Sequence, residues 1–137
     1  MDASVVLKWI RIEEVDAQQA TVVFKEFHLR KTRLAIPHYA YAEIANILGL
    51  DLSREVACTA FSYLLGMKLD EYPITLEVVS VATELMEKYK GVSFYDAGYH
   101  AIALLHGGTF ITADEKYYQK TRKEGSIMLL KDYGKKR

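Results

Sequence analysis

Apolar positions recur along this chain with the period of a helix, interrupted by short runs that are apolar throughout. Ala3 to Trp9 predicts a short helix with Val6, Trp9 and Ile10 on its apolar side. Val15 to Leu29 predicts a second, with Ala17, Ala20, Val23, Phe24 and Phe27 at helical spacing. Arg33 to Ile36 reads as a short strand that Pro37 ends. Tyr39 to Leu48 is helical and Gly49 closes it. Ser53 caps a helix carrying Ala57, Ala60, Phe61, Leu64 and Leu65 as core positions, stopped at Gly66. Lys68 to Pro73 is a connection with room for a short strand. Thr75 caps a helix that runs to about Tyr89, buries Val78, Val81, Ala82, Leu85 and Met86, and ends at Gly91.

The stretch from Val92 to Leu105 organises the rest. A short apolar lead-in stops at Asp96, and a helical pattern with Ala97, Ala101 and Leu104 begins at once. An Asp in that place suits an N-cap, where it accepts free backbone N–H groups at the positive end of the helix dipole. It is also where an α/β enzyme sets a catalytic acid, at the carboxyl edge of its sheet. Gly107-Gly108 is a turn, and Thr109 to Thr112 is a strand rich in β-branched and aromatic residues. Asp114 caps a helix through Lys123, Gly125 breaks it, and Ile127 to Leu130 is a last apolar strand. The basic tail, 131–137, is expected to fray. Apolar strands separated by helices predict a parallel sheet covered on both faces.

With 137 residues, half of them hydrophobic, the chain makes one domain with a real core and is not disordered. No apolar run approaches the roughly 20 residues of a membrane helix. No signal-peptide pattern is read at the start, where Asp2 and Lys8 fall in a short amphipathic stretch. A lone cysteine, Cys58, excludes an internal disulfide, and a small core role and a cytoplasmic setting are expected. The net charge is zero but uneven. Residues 1–114 hold 10 Lys+Arg against 15 Asp+Glu, and residues 115–137 hold 8 against 3. That places a basic segment beside an acidic body, as an enzyme acting on a polyanion needs, although a solvated helix and a basic tail give the same count.

Four acids fall where the chemistry is least ordinary: Asp2, Glu43, Asp96 and Asp114. In a parallel sheet the residues just past the strands meet at one edge, so Asp2, Asp96 and Asp114 are expected to converge. Glu43 lies inside a largely apolar helix, where a carboxylate is costly unless paired or bound to a metal. Clustered carboxylates raise one another's pKa, and a hard divalent cation relieves the repulsion. An oxygen-only ligand set favours Mg²⁺ or Mn²⁺, which can activate water and neutralise a phosphoryl group.

The runs Asp2-Ala3-Ser4-Val5-Val6-Leu7-Lys8-Trp9, Glu43-Ile44-Ala45-Asn46-Ile47-Leu48, Tyr95-Asp96-Ala97-Gly98-Tyr99-His100-Ala101-Ile102-Ala103 and Thr112-Ala113-Asp114 resemble the PIN-domain family, in its order and at similar spacing. They look most like its VapC-type toxin ribonucleases. The resemblance implies a three-layer α/β/α sandwich with a parallel sheet and helices on both faces. It implies a Mg²⁺- or Mn²⁺-dependent endoribonuclease, a homodimer, and a VapB-type antitoxin as partner. By position Asp2, Glu43, Asp96 and Asp114 match the family's acidic, metal-binding site, with Ser4 and Thr112 in support. The family sets an apolar strand before its first Asp. Here only Met1 precedes Asp2, so the first strand is expected to be truncated and its neighbours exposed. Some relatives carry a further acid where Tyr118 stands.

Other residues carry less. His100 shares a helix face with Asp96, and a buried structural histidine outweighs a substrate contact there. His28, His38 and His106 form no metal-ligand spacing. Lys8, Lys116, Lys120, Arg122 and Lys123 are candidates for phosphate contacts. An aspartyl phosphatase needs a second acid two residues after Asp2, where Ser4 stands, and no phosphate-binding glycine loop is present. The expectation is therefore a metal-dependent endoribonuclease. A non-catalytic PIN-like RNA- or protein-binding module and a DNA nuclease are the alternatives.

Overall fold

A computed structural model describes residues 1–11 and 13–135. The helices are α1 (Ala3–Leu7), α2 (Ala17–His28), α3 (Tyr39–Asp51), α4 (Arg54–Gly66), α5 (Leu76–Lys88), α6 (Phe94–His106) and α7 (Glu115–Thr121). The strands are β1 (Ala35–Pro37), β2 (Asp70–Tyr72), β3 (Phe110–Thr112) and β4 (Ile127–Leu129). Among the described residues no helix is long and apolar enough to cross a membrane.

Local chemistry accounts for most boundaries. Ser53 and Thr75 cap α4 and α5 by accepting the N–H groups of Val56 and Val78. Gly107, at φ +65°, closes α6 in the left-handed conformation that glycine tolerates. Gly49 does not close α3, and Gly66 is the last residue within α4. Burial of Ile44 and Leu48 carries α3 through the glycine, outweighing a propensity cost of about 1 kcal/mol. An ion pair between Arg11 and Asp51 holds the end of that helix.

The strands form two separate pairs. β1 and β2 run parallel, with Ile36 opposite Glu71; β3 and β4 run parallel, with Ile111 opposite Met128. Between the pairs, Met1 gives its amino N–H to Ala35 O at 3.3 Å. Asp2 N–H then bonds Ile111 O at 3.2 Å. Pro37 is the last residue of β1, not a residue beyond it. It is tolerated because alternation turns its nitrogen away from β2.

Helix α6 packs against α5 and reaches both β1 and β3, while α1 packs on α3 and β3. The core is built on Val5, Val6, Ile36, Ile44, Phe110 and Leu130, all almost fully buried. Helix α4 contributes less than its pattern predicts. Leu64 alone is buried, Leu65 is 52% exposed, and Cys58 is exposed instead of in the core. The tail is better held than expected as far as Lys135. Lys131 pairs with Glu115, and the Tyr133 hydroxyl donates to Glu26. Residues 136 and 137 lie outside the described residues.

Candidate active site

Asp2 is the N-cap of α1 and is buried, 8% exposed. Its Oδ1 accepts the Ser4 hydroxyl and the Val5 N–H, the latter at 3.1 Å. Its Oδ2 accepts the hydroxyl of buried Thr112. Thr112 Oγ1 in turn accepts the N–H of Asp114 at 3.0 Å. The Thr112 hydroxyl, 110 residues along the chain from Asp2, therefore joins the carboxylate of Asp2 to the backbone of Asp114. Asp114 itself is exposed and caps α7 through the N–H of Tyr117 at 2.9 Å.

Asp96 is not an N-cap. Ser93 caps α6, and Asp96 is the third residue of the helix. Ser93 Oγ accepts the Asp96 N–H at 3.2 Å and donates its own hydrogen to Asp96 Oδ2 at 2.9 Å. Asp96 therefore reaches the site from the first turn of a helix, not from the end of a strand. Burial raises its pKa above the usual carboxylate range. The Ser93 bond opposes the shift, and the charges of Asp114 and Asp2 add to it.

Glu43 projects from α3, half-buried, and Oε2 accepts the Tyr99 hydroxyl at 2.9 Å. Burial raises its pKa most, the Tyr99 bond pulls it back, and the charges of Asp96 and Asp2 push it up again. Asp96 is thus the acid that feels Asp114 and Asp2 and acts on Glu43. The four acids share one electrostatic field, and among the described residues no basic side chain takes part in the shifts of Glu43 and Asp96.

That donor set, oxygen ligands only, fits a hard divalent cation. Among the described residues no three His, Cys, Asp or Glu side chains converge closely enough to hold an ion. The arrangement brings the acids within electrostatic range without closing them around one point.

Two tyrosines absent from the expected site frame it. Tyr99 is 4% exposed, stacks on Phe110 at 5.6 Å and meets Tyr39 edge-on at 5.3 Å. Tyr39 donates its hydroxyl to Tyr95 O at 2.7 Å and passes over Gly98, where an added Cβ would stand 2.5 Å from that oxygen. Burial, reinforced by the charge of Glu43, raises both phenols far above their usual pKa, so each stays protonated as a donor. Spacing along the helices points to both: Tyr39 lies four residues before Glu43, and Tyr99 three after Asp96, on shared helix faces.

The remaining candidates are placed elsewhere or held by other partners. His100 is fully buried between the Tyr117 hydroxyl and Gly125 O. Lys8 bonds Glu14 and Val15 O. Lys120 bonds Lys90 O, while Lys116, Arg122 and Lys123 are exposed. Tyr118, where some relatives carry an acid, is half-buried.

A comparison with curated proteins finds no match to this chain. The family model described as PIN domain matches residues 1–123. It spans all four acids and every element from α1 to α7. The chain belongs to the PIN-domain family, whose fold is generally that of a nuclease.

Proposed function

We propose that this chain is a metal-dependent endoribonuclease, the toxin of a VapBC-type toxin–antitoxin pair, acting in the cytoplasm as a homodimer restrained by a VapB-type antitoxin. The observation that carries the catalytic part is the shared field of the four acids. Burial and mutual repulsion raise the proton affinity of Glu43 and Asp96, and among the described residues no basic side chain enters either shift. The toxin, dimer and antitoxin parts rest on the resemblance of the four motifs to VapC-type proteins.

Asp2, Asp96 and Asp114 would hold Mg²⁺ or Mn²⁺, with Glu43 completing the set. A divalent cation there supplies neutralisation of phosphoryl charge and a lowered pKa for water. Ser4, Val5 and Thr112 fix the Asp2 carboxylate, and Ser93 fixes that of Asp96. Glu43, whose Oε2 accepts the Tyr99 hydroxyl, would orient the attacking water and take its proton. Exposed Lys116 and the basic segment beyond it can receive the phosphates of the strand. Cleavage would leave a 5′-phosphate and a 3′-hydroxyl, as the resemblance implies.

The test is cleavage of labelled single-stranded RNA with Mn²⁺ and with EDTA, for this chain and for Asp96→Asn. Metal-dependent cutting that disappears in the variant supports the reading; cutting retained by Asp96→Asn overturns it. Matched DNA in the same assay separates a ribonuclease from a DNA nuclease. The open spacing of the acids favours one second reading, a PIN-like module that holds RNA or a protein without cutting. RNA binding without either cleavage or Mn²⁺ binding by calorimetry would support that module instead.

A further inference from the structure

We infer that the exposed ring of Tyr95 is a stacking platform for an unpaired base of the RNA strand, beside the phosphate that the acids engage; the inference rests on the nuclease reading above. Tyr95 and Asp96 are successive residues in the first turn of α6. Asp96 is half-buried, whereas Tyr95 is 56% exposed.

A row of rings leads out of the core to Tyr95. Phe110, 1% exposed, stacks on Tyr99 with planes 6° apart. Tyr99 meets Tyr39 edge-on at 5.3 Å, and Tyr39 meets Tyr95 edge-on at 5.5 Å. The row runs along the acid site. The Tyr99 hydroxyl donates to Glu43, and burial followed by the charges of Glu43 and Asp96 raises the pKa of the Tyr39 phenol. Tyr95 therefore ends the row at the rim of that site, where a base laid on its ring adds one more member.

The ring is open and held at once. An edge-on neighbour covers at most one face, and among the described residues Tyr39 is the one ring packed against Tyr95. The Tyr39 hydroxyl donates to Tyr95 O at 2.7 Å, which ties the turn of α6 that carries the ring to α3. Gly98 leaves room for that bond, since a Cβ there would stand 2.5 Å from the hydroxyl oxygen. A platform ordered in advance loses little freedom when a base settles on it.

Charge favours the same occupant. Clustered carboxylates repel a phosphate that no metal shields, whereas a base is neutral and binds through its π-face. Stacking needs a base free of its own helix, so the platform takes single strands, loops or ends and not duplex RNA. It reads no base edge and so tolerates every base.

The test uses the full chain, Tyr95→Ala and Tyr95→Phe. Binding of labelled single-stranded RNA of mixed sequence is read by fluorescence anisotropy in EDTA, where it depends on neither metal nor cleavage. The same strand is compared with its duplex and with a ribose-phosphate chain that lacks bases. Tyr95→Ala is expected to weaken single-strand binding about tenfold or more, and Tyr95→Phe to stay within about twofold of the parent. The alanine effect is expected to vanish on the duplex and on the chain without bases. It is expected to leave the salt dependence unchanged, where a lost phosphate contact would lower the slope by about 0.7. Equal weakening with and without bases overturns the inference. So does unchanged binding by Tyr95→Ala, a loss in Tyr95→Phe as large as in Tyr95→Ala, or no single-strand binding by the parent chain. A parent that shows the expected pattern and cuts nothing with Mn²⁺ supports the platform and overturns the nuclease reading alone.

Discussion

The Thr112 hydroxyl donates to Asp2 Oδ2 and, on its other side, accepts the N–H of Asp114 at 3.0 Å. Strand β3 thereby positions two of the four acids with one oxygen atom. Replacing that oxygen by a methyl group leaves a buried carboxylate short of a donor and a backbone N–H without its acceptor. Each loss costs on the order of 1–3 kcal/mol. Thr112→Val is expected to lower stability by that order in urea unfolding and to reduce RNA cleavage at least tenfold. Thr112→Ser keeps the hydroxyl and is expected to retain most activity. If Thr112→Val cuts as fast as the parent chain, the oxygen has no part in positioning Asp2.

Tyr99 is the donor that pulls the Glu43 pKa back toward the usual carboxylate range. Tyr99→Phe removes that bond and keeps the ring stacked on Phe110. Glu43 would then hold its proton to higher pH, because burial and the charges of Asp96 and Asp2 go unopposed. The acidic limb of the cleavage–pH profile is expected to move to higher pH, with the loss of stability kept to about 1 kcal/mol. An acidic limb that stays in place would show that Glu43 does not take the proton.

Ser53, Thr75 and Asp114 are legible as caps because a cap and its target lie within three residues. Asp96 satisfies the N-cap pattern as well as Ser93 does, because it too precedes an apolar helical run, and the structure gives the cap to Ser93. The spacing Ser93-x-x-Asp96 is the stronger signal, since it resembles a capping box. The Tyr99 bond to Glu43 spans 56 residues, so the spacing that puts Tyr99 beside Asp96 on its helix does not name Glu43 as its partner. Helix α4 marks another limit. Its amphipathic pattern shows which face is apolar but not how much of that face is covered, and Leu65 and Cys58 are exposed on it.

Gly98 is required by contact, not by backbone strain. A Cβ there would stand 2.5 Å from the Tyr39 hydroxyl oxygen and 3.4 Å from the ring carbon that carries it. Gly98→Ala must therefore push Tyr39 off Tyr95 O and disturb the turn of α3 that leads to Glu43. Overpacking of this kind costs about 1–3 kcal/mol. Tyr39→Phe removes the clashing atom, so the double variant is expected to recover much of the loss. The coupling in a double-mutant cycle measures it. Strict additivity would mean that Tyr39 already has room to move.

His100 sets a pH dependence of stability opposite in sign to that of the site carboxyls. Gly125 O can only accept, so Nε2 carries the hydrogen at 2.7 Å, and Nδ1 accepts the Tyr117 hydroxyl at 3.1 Å. A second ring proton would meet that hydroxyl hydrogen inside the core. Burial accordingly lowers the His100 pKa below its ordinary 6.5, against the opposing pull of Gly125 O and the Glu124 charge. As pH falls through 6.5 the unfolded chain takes up a proton that the folded chain refuses. Stability is therefore lost from that point down to the folded pKa and levels off below it. Glu43 and Asp96, whose folded pKa values are raised, bind protons better when folded and gain stability as pH falls. The raw curve mixes the two effects, so the comparison needs a variant that cannot titrate. His100→Gln retains a donor for Gly125 O. It is expected to show a smaller fall in unfolding free energy than the parent between pH 7.5 and the acid side of 6.5, by urea denaturation at each pH. Parallel curves for the two proteins would show that His100 titrates alike in the folded and unfolded chains.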